Sequence, residues 1–554
     1  MQAYAVSYSK YLISASMLLY TFLAYVALPS GKDVRRTCET LQRLCMCVFS
    51  INAYLTMAIL SHNEDYFVFG LLQIFITVGA ALIYRTLYKS ANMLMINNIL
   101  MMLSIGLVII SRINYQKAQK QLVIALVGIL FLMVFPTFRN HLDSLRKWTY
   151  FYAVAGIAAL AAVLLLGAIT NGSKLSFTIA GLSFQPSEFV KILFLLFLSS
   201  AFCEENTDRH VVFLTVAAAV HVGILILSRD LGSAFIFYFV YIVLLFLSSG
   251  KWRYLFGGLL LGAAAAVLCY FLFAHVRVRV QVFLDPWTNI DGNGYQITQS
   301  LFAISFGGLF GAGLMQGMPS SIPFVESDFI FAAIIEEMGI VFGICLILLC
   351  LNIFTDFLLL AGSYSNKFYR LYTFGTAIAF IFQAFLTIGG EVKFIPLTGV
   401  TLPLVSYGGS SVLATFVMFG IVGAIFMLQE ERIERFRIRY EQEHSGVNRD
   451  AMYEGAGGYG AGGYTAANVS GSAGGRGNAG TGGYAGANVH GPANNRGNTG
   501  TGGSGAAANA QGRANQQRSG GAQNNSADQD FYKDFKGVPI YDPNNDFDNI
   551  GRNN

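Results

Sequence analysis

Charged side chains are scarce in this sequence: Asp, Glu, Lys and Arg make up 12% of its 554 residues, about half their share in a typical soluble domain. Hydrophobic residues reach 54%, and the mean hydropathy is positive although roughly the last hundred residues are polar. The preceding part of the chain is therefore too apolar for a soluble domain. This composition excludes a soluble enzyme and predicts an integral membrane protein.

Cysteine pairs that could build a disulfide framework or a metal site are also lacking. Six of the seven cysteines lie in or beside apolar runs. Cys45 and Cys47 form a short pair, but no second pair of metal ligands follows at a suitable spacing. We interpret the cysteines as small apolar side chains that fill space between helices.

Long apolar runs dominate the first 430 residues of the chain. A run of about 20 apolar residues is long enough to cross about 30 Å of hydrocarbon. Thirteen such runs lie near residues 11–29, 43–61, 66–88, 92–111, 120–138, 148–168, 187–203, 211–228, 232–249, 253–274, 329–356, 370–390 and 408–428. The sequence therefore predicts an all-α polytopic membrane protein with about 13 spans.

The basic residues of the loops predict the orientation of the chain, because cytoplasmic loops carry an excess of Lys and Arg. The basic loops that share one side contain Lys32, Arg35, Arg36, Arg43, Arg85, Lys89, Arg139, Arg146, Lys147, Lys251, Arg253, Lys367, Arg370, Arg432, Arg435, Arg437 and Arg439. Arg112, Lys117 and Lys120 lie on the other side. We therefore predict an extracytoplasmic N-terminus, a cytoplasmic C-terminal tail, and an extracytoplasmic position for the long polar loop 275–328.

The composition changes after residue 440, where Gly, Ala and Asn dominate and aliphatic residues almost disappear. The segment from Gly463 to Asn478 recurs from Gly483 to Asn498, with a period of about 20 residues. Because these repeats have no apolar positions to bury, they cannot offset the entropy lost on ordering. We predict that residues 441–554 form a disordered tail.

Several charged residues occur at or inside the predicted spans, where an uncompensated charge is costly. Glu188 and Lys191 are three residues apart at the start of a span, so they can share one helical face and form an ion pair. Asp230 precedes the span at 232–249, and Glu336 lies two turns into the span predicted at 329–356. A structural role as caps and ion pairs and a functional role both remain open for these residues.

Five ordered motifs make the chain resemble one family, the SEDS proteins (shape, elongation, division and sporulation), which include FtsW, RodA and SpoVE. The motifs are QPSEFVKI, SRDLGSA, DPWTNIDGNGYQITQSLFAISFGGLFGAGL, ESDFIFAAIIEEMG and TGVTLPLVSYGGSS. The resemblance runs from about Asn92 to Arg439 and implies the ten-helix core of that family, at 92–440. The three spans within residues 1–91 are then additions to the N-terminus.

This resemblance implies a peptidoglycan glycosyltransferase that polymerises the lipid-linked disaccharide lipid II at the bacterial plasma membrane, during cell elongation, division or sporulation. It also implies a partner, a class B penicillin-binding protein with transpeptidase activity, and no nucleic acid. No cofactor is certain, and Mg²⁺ or Mn²⁺ is the candidate that would help to bind the pyrophosphate. Two alternatives remain open: a lipid II flippase or transporter, and a non-catalytic paralogue that acts as a scaffold for the penicillin-binding protein.

Such an enzyme needs a carboxylate that accepts a hydroxyl proton and cations that neutralise the leaving pyrophosphate. Arg277, Arg279 and Lys393 are the candidate cations, although the two arginines could instead anchor the loop at lipid headgroups. The other candidate substrate-binding residues, taken from the family motifs, are Glu188, Lys191, Asp230, Tyr295, Gln296, Glu336 and Ser406.

The identity of the catalytic base is the point at which the chain departs from the family. The resemblance implies an essential aspartate three residues before the Gly-x-Gly-Tyr sequence, and this chain has Asn289 there. An amide cannot accept a proton at neutral pH. Either Asp291 or Asp285 supplies the carboxylate through a shifted loop, or the chain has lost polymerase activity. We place Asp291 first, because a glycine-flanked turn could move its side chain over the two-residue offset.

Overall fold

The structure is a computed structural model and describes residues 2–166, 168–170, 173–179, 182–203 and 208–454. Its helices are α1 Gln2–Ala27, α2 Lys32–Ser61, α3 Asp65–Leu87, α4 Met93–Ile113, α5 Tyr115–Val134, α6 Leu142–Leu145, α7 Thr149–Leu166, α8 Pro186–Ala201, α9 Asp208–Leu227, α10 Leu231–Ser249, α11 Trp252–Leu272, α12 Ala274–Leu284, α13 Tyr295–Gly307, α14 Ile330–Met338, α15 Ile340–Ser363, α16 Lys367–Glu391 and α17 Gly409–Glu454. Short 3₁₀ helices lie at Phe135–His141, Arg146–Trp148, Trp287–Asn289 and Pro319–Ser321.

The helices agree with the predicted all-α polytopic architecture. Eleven helical stretches among the described residues are long and apolar enough to cross a membrane. One of them, Tyr115–Leu166, contains both α5 and α7, which are joined by short helical turns. Helix α8 has 16 residues and is shorter than the other predicted spans. With α5 and α7 taken separately and α8 included, the structure has a helix for each of the thirteen predicted spans.

One predicted span needs correction. The apolar run at 329–356 is not one helix, because α14 ends at Met338 and α15 begins at Ile340. Gly339 separates them with a φ of +92°, a conformation that favours glycine. A Cβ on Gly339 would also collide with the backbone of Leu309 and Phe310. The candidate span is therefore Ile340–Ser363, and α14 is a separate short helix.

A small sheet adds to the helical architecture and was not predicted. Its strands are β1 Ala168–Thr170, β2 Ser173–Ile179 and β3 Leu182–Phe184, and they pair antiparallel in the order β1-β2-β3. The sheet occupies the connection between α7 and α8. It leads directly into Gln185 and the N-terminus of α8.

The first three helices pack directly on the core. Helix α1 packs against α2 and α15, and α2 packs against α4. The Tyr20 hydroxyl donates to Asn98 Oδ1 over 3.1 Å, and Asn98 Nδ2 donates to Asn352 Oδ1 over 2.8 Å. As a result, the whole apolar length of α4 is buried inside the protein. Residues 1–91 therefore contribute to the packing of the core.

The ends of the bundle are identified by α4 and α17. Helix α4 has 21 residues and is about 31 Å long at 1.5 Å per residue. Its last turn carries Arg112, which bonds to Glu337 and Gly317 at the same end as the loop 275–328. Its first turn follows Asn92 at the opposite end. Helix α17 begins at Gly409, beside the loop, and continues to Glu454.

The C-terminal boundary differs from the prediction. Residues 441–454 belong to α17, so the helix continues past the predicted start of the tail at 441. The rest of the predicted disordered tail, with its 20-residue repeats, lies outside the described residues.

Candidate active site

A cavity of about 320 Å³ lies among α12, α13 and the segments around residues 324–328 and 390–399. Five polar side chains line it: Arg279, Asn293, Gln296, Asp328 and Lys393. Apolar residues, among them Val282 and Ile395, form the remaining wall. The cavity thus brings two cations, one carboxylate and two amides together at the loop end of the bundle.

Arg279 is held in the cavity wall by the segment that follows α16. Its Nη1 donates to the carbonyl oxygens of Leu397 (3.1 Å) and Thr398 (2.9 Å). Arg277 lies two residues earlier on α12, is exposed, and donates to Phe271 O at 3.4 Å. Only Arg279 lines the cavity. The packing of α12 therefore gives the two predicted arginines different surroundings: Arg279 lines the cavity, and Arg277 is exposed.

Asp328 is the carboxylate inside the cavity, and the sequence analysis did not select it as a site residue. Burial raises the pKa of its carboxyl above the usual value, while a hydrogen bond from Ser327 and the charge of Arg279 act in the opposite direction. Asp328 is half-buried. The available signal in the sequence was an aspartate directly before the apolar run that starts at Phe329. The raised pKa suits a group that accepts a proton near neutral pH.

Asp285 caps the turn that leads into the glycine-rich loop. Its Oδ1 accepts from the backbone N–H groups of Trp287 (3.0 Å) and Thr288 (3.3 Å), and its Oδ2 accepts from the Thr288 hydroxyl. The hydrogen bond from that hydroxyl lowers the pKa of Asp285. Its carboxylate oxygens are thus engaged in holding the turn, which makes it a weak proton acceptor.

Asn289 and Asp291 lie on the exposed rim of the loop. The Asn289 carbonyl accepts from the backbone N–H groups of Gly292 (3.2 Å) and Gly294 (3.1 Å), which closes a tight turn around Asp291. Gly294 is required in this turn, because a Cβ there would collide with the Pro286 and Asn289 carbonyls. Neither Asn289 nor Asp291 lines the cavity, although Asn293 does.

A second polar cluster lies at the N-terminal ends of α8 and α10. Lys191 Nζ donates to Glu188 Oε2 and to Gln383 Oε1, each at 2.7 Å, and both charged residues are buried. The predicted ion pair is present. Asp230 caps α10 by accepting from Ser233 N at 3.1 Å, and it also accepts from the Ser187 hydroxyl at 3.0 Å.

The segment 398–400 lies between this cluster and the cavity. Val400 and Thr398 pack against Gly232 in the first turn of α10, where a Cβ would collide with the Val400 side chain. On the cavity side, Thr398 accepts from Arg279. The segment 398–400 is therefore a wall shared by the cavity and by the polar cluster at α8 and α10.

The remaining predicted site residues, Ser406, Glu336 and Tyr295, do not line the cavity. Ser406 is 1% exposed, donates to Ser327 O at 2.6 Å and accepts from Leu402 N at 2.9 Å, so its hydroxyl fixes the loop 398–411 against Asp328. Glu336 Oε1 accepts from Met318 N at 2.7 Å and anchors the segment after α13. Tyr295 is the half-buried first residue of α13, next to Gln296 in the cavity wall.

The comparisons with known proteins agree with this architecture. The family model for FtsW, RodA and SpoVE, described as "Cell cycle protein", matches residues 81–431. Peptidoglycan glycosyltransferase RodA of Mycobacterium tuberculosis is 31% identical over 437 residues, covering 73% of this chain and 92% of the relative. The "Probable peptidoglycan glycosyltransferase FtsW" of Aliivibrio salmonicida is 31% identical over 297 residues, covering 51% of this chain and 74% of the relative.

A solved structure is also similar. It is described as "Structural coordination of polymerization and crosslinking by a peptidoglycan synthase complex", with a TM-score of 0.54 and 26% identity over 61% of this chain and 97% of the other. The resemblance predicted from the five motifs is confirmed by these matches. The chain is a multi-pass bacterial membrane protein, and it belongs to the FtsW, RodA and SpoVE family.

Proposed function

We propose that this chain is a peptidoglycan glycosyltransferase that joins the disaccharide units of lipid II into glycan strands. The observation that carries the proposal is the cavity in which Arg279 and Lys393 lie with the half-buried carboxylate of Asp328. The named functions of RodA and FtsW relatives support it. Cations for a pyrophosphate and a carboxylate for a hydroxyl proton are the two groups that this reaction needs.

The reaction joins two lipid-linked disaccharides. The 4-hydroxyl oxygen of one attacks the anomeric carbon of the other, the bond from that carbon to the pyrophosphate oxygen breaks, and the hydroxyl proton passes to a carboxylate. Arg279 and Lys393 are placed to neutralise the charge that develops on the leaving pyrophosphate. Gln296, in the same wall, can hydrogen-bond to a sugar hydroxyl.

Two carboxylates remain candidates for the proton acceptor. Asp328 lies in the cavity and has a raised pKa, whereas Asp291 lies on the rim and would have to move inward with its loop. Asp285 is a weaker candidate because its oxygens cap the neighbouring turn. The asparagine at position 289 does not by itself remove the chemistry, because Asp328 supplies a carboxylate in the cavity.

Mg²⁺ or Mn²⁺ stays a proposal for the pyrophosphate. Among the residues that the structure describes, no group of three or more His, Cys, Asp or Glu side chains could hold a metal ion. Asp328 offers one hard oxygen ligand of the kind that Mg²⁺ prefers, and substrate phosphates commonly supply others. Such an ion would add positive charge next to Arg279 and Lys393.

The proposed partner is a class B penicillin-binding protein, which would crosslink the strands that this chain makes. The similar solved structure is described as a peptidoglycan synthase complex for polymerization and crosslinking, and this supports a shared assembly. We also propose that the cavity end of the bundle is extracytoplasmic, because the strongly basic loops lie at the other end. Cysteines introduced at Asp291 and Lys251 in a cysteine-free variant test the orientation: an impermeant thiol reagent should label only the first in intact cells.

The proposed activity is tested with the purified full chain, lipid II and the candidate partner. Glycan strands should form with the parent and form much more slowly with Arg279→Gln, while Arg277→Gln, at the neighbouring exposed position, should retain most of the activity. If Arg279→Gln polymerises lipid II as well as the parent does, the cavity is not the active site. Transport of lipid II across vesicle membranes without any polymerisation would instead support the flippase.

A further inference from the structure

A second cavity lies at the end of the bundle opposite the candidate active site. Its volume is about 1160 Å³, and its walls come from α2, α3, the start of α4, the end of α15 and α17. Asn92 and Glu430 line it. Helix α17 runs 21 residues from Gly409 to Glu430, so about 30 Å separate this cavity from the active-site end.

The wall formed by the N-terminal helices is strongly basic. Five cations and one acid from this part of the chain line the cavity: Lys32, Arg35, Arg36, Arg85, Lys89 and Glu39. Arg35 is paired with Glu39 (3.3 Å) and donates to Asn92 Oδ1 (2.6 Å). Within the described part of the chain, the other four cations form no ion pair. This wall therefore has a clear excess of positive charge.

Arg43 extends the basic region behind the cavity. It lies one turn beyond Glu39 on α2 and is 6% exposed. Its Nη2 donates to Thr40 Oγ1, whereas its Nη1 has no hydrogen-bond partner among the described residues. A buried arginine with an unsatisfied donor is costly. Its charge adds to the positive potential of this wall.

The facing wall on α15 and α17 offsets only part of this charge. Glu431 is paired with Arg139 (2.8 Å) and Arg435 (3.5 Å). Asp356 accepts from Asn92 Nδ2 at 2.7 Å. Glu430 and Glu434 are the other acids of the lining. Seven basic and five acidic residues thus line the whole cavity, and the basic excess is concentrated on α2, α3 and the turn that follows α3.

The cavity also has an apolar border that a soluble anion would not use. Leu28, Leu359, Leu360 and Phe426 belong to its lining. Leu359 is 56% exposed and lies in the membrane span Ile340–Ser363, so the cavity reaches the lipid-facing surface of α15. A ligand with an anionic head and an apolar tail matches both parts of this lining.

We propose that this cavity binds the phosphate headgroup of an anionic phospholipid, with the acyl chains against Leu359 and its neighbours. Basic pockets between membrane helices on the cytoplasmic side attract such headgroups, because that leaflet is anionic. Arg36, Arg85 and Lys89 donate to the phosphate oxygens. The additional N-terminal helices thus provide a lipid-binding site that the core helices alone could not form.

The proposal is tested on the purified full chain by native mass spectrometry with added phosphatidylglycerol or phosphatidylcholine. The parent should retain phosphatidylglycerol and much less phosphatidylcholine. The double variant Arg36→Gln with Lys89→Gln removes two exposed cations, so the fold should be unaffected. It should bind phosphatidylglycerol about tenfold or more weakly, since each basic residue near an anionic surface adds to the attraction.

The matched control is Lys251→Gln with Arg253→Gln, which removes two exposed cations at the same end of the bundle but outside the cavity. The control and the charge-conserving variant Arg36→Lys with Lys89→Arg should bind phosphatidylglycerol as the parent does. Equal loss in the control, or no loss in the double Gln variant, overturns the proposal. Inorganic phosphate that protects the parent from heat as well as phosphatidylglycerol does would identify a soluble anion as the ligand. If lipid binds only after residues 455–554 are removed, the tail occupies the cavity and the lipid proposal fails.

Discussion

Arg279 and Asp328 meet beside Gly399: Arg279 Nη2 and Asp328 Oδ2 lie 3.7 and 3.8 Å from the position that a Cβ on Gly399 would occupy. Gly399 has a φ of +72°, which favours glycine. A Cβ at these distances would be in ordinary van der Waals contact with both charged groups, so the backbone conformation and not a lack of space favours glycine there. Arg279 consequently acts on Asp328 through its charge, which lowers the pKa that burial raises.

The first prediction concerns Asp328 as proton acceptor. Asp328→Asn keeps the shape of the side chain and removes its basicity, so it should lower lipid II polymerisation by roughly 10² to 10⁴-fold. Thermal unfolding of the variant should be close to that of the parent, because no ion pair within 4.0 Å is lost among the described residues. The control is Glu326→Gln, which removes a carboxylate of the same segment outside the cavity, together with its ion pair to Lys117. An Asp328→Asn variant with the parent rate would exclude Asp328 as the base.

The second prediction is the pH dependence of the rate. If Asp328 must be deprotonated to accept a proton, the rate falls as the pH drops through its pKa, which lies above the usual value for aspartate. Arg279 lowers this pKa, so Arg279→Gln should raise it further and move the acidic limb of the profile to higher pH. Arg279→Lys keeps the charge and should leave the limb near its original position. An unchanged limb in Arg279→Gln would show that another group titrates.

The sequence predicts the helices more reliably than the site because apolar length and motif order are local properties. The ion pair of Glu188 and Lys191 was predictable for the same reason, since residues three apart on a helix are neighbours. The break at Gly339 was not predictable, because the apolar run continues through it. It depends on packing against Leu309 and Phe310, which lie about thirty residues earlier in the chain.

The roles of single residues at the site depend on such distant contacts. Arg277 and Arg279 have equal chemistry, and only the carbonyls of Leu397 and Thr398 distinguish them. Asp328 becomes a candidate base because the segment 397–399 covers it. Ser406 bonds to Ser327 O in the neighbouring loop, a contact with no sequence pattern.

The third prediction concerns the buried pair at the start of α8. Lys191→Met leaves Glu188 as an unpaired buried carboxylate and should destabilise the protein by about 3–5 kcal/mol. The double variant Glu188→Gln with Lys191→Met removes both charges and should recover most of that stability in thermal unfolding. Its activity then separates the two roles of the pair: a stable but inactive double variant identifies a functional pair, and a stable and active one identifies a structural pair. A double variant no more stable than Lys191→Met would contradict mutual neutralisation.

The fourth prediction tests the rim of the loop, where Asn289 stands in place of the family aspartate. If the loop moves Asp291 into the cavity, Asp291→Ala should lower polymerisation by about 10² to 10⁴-fold. Asp285→Ala should have a smaller effect, through the loss of the bonds to Trp287 and Thr288 that hold the turn. Asn289→Asp should keep or raise the rate, because it restores a carboxylate at the family position.

These three rim variants distinguish the candidate bases when they are measured beside Asp328→Asn on lipid II. A large loss in Asp328→Asn together with parent activity in Asp291→Ala assigns the proton to the cavity carboxylate and rejects the displaced-base hypothesis. Parent activity in Asp328→Asn together with a large loss in Asp291→Ala assigns the role of proton acceptor to Asp291. If the parent is inert and Asn289→Asp alone creates a polymerase, the natural chain is a non-catalytic paralogue. That result would show that the cavity and its cations are intact and that only the carboxylate at position 289 was missing.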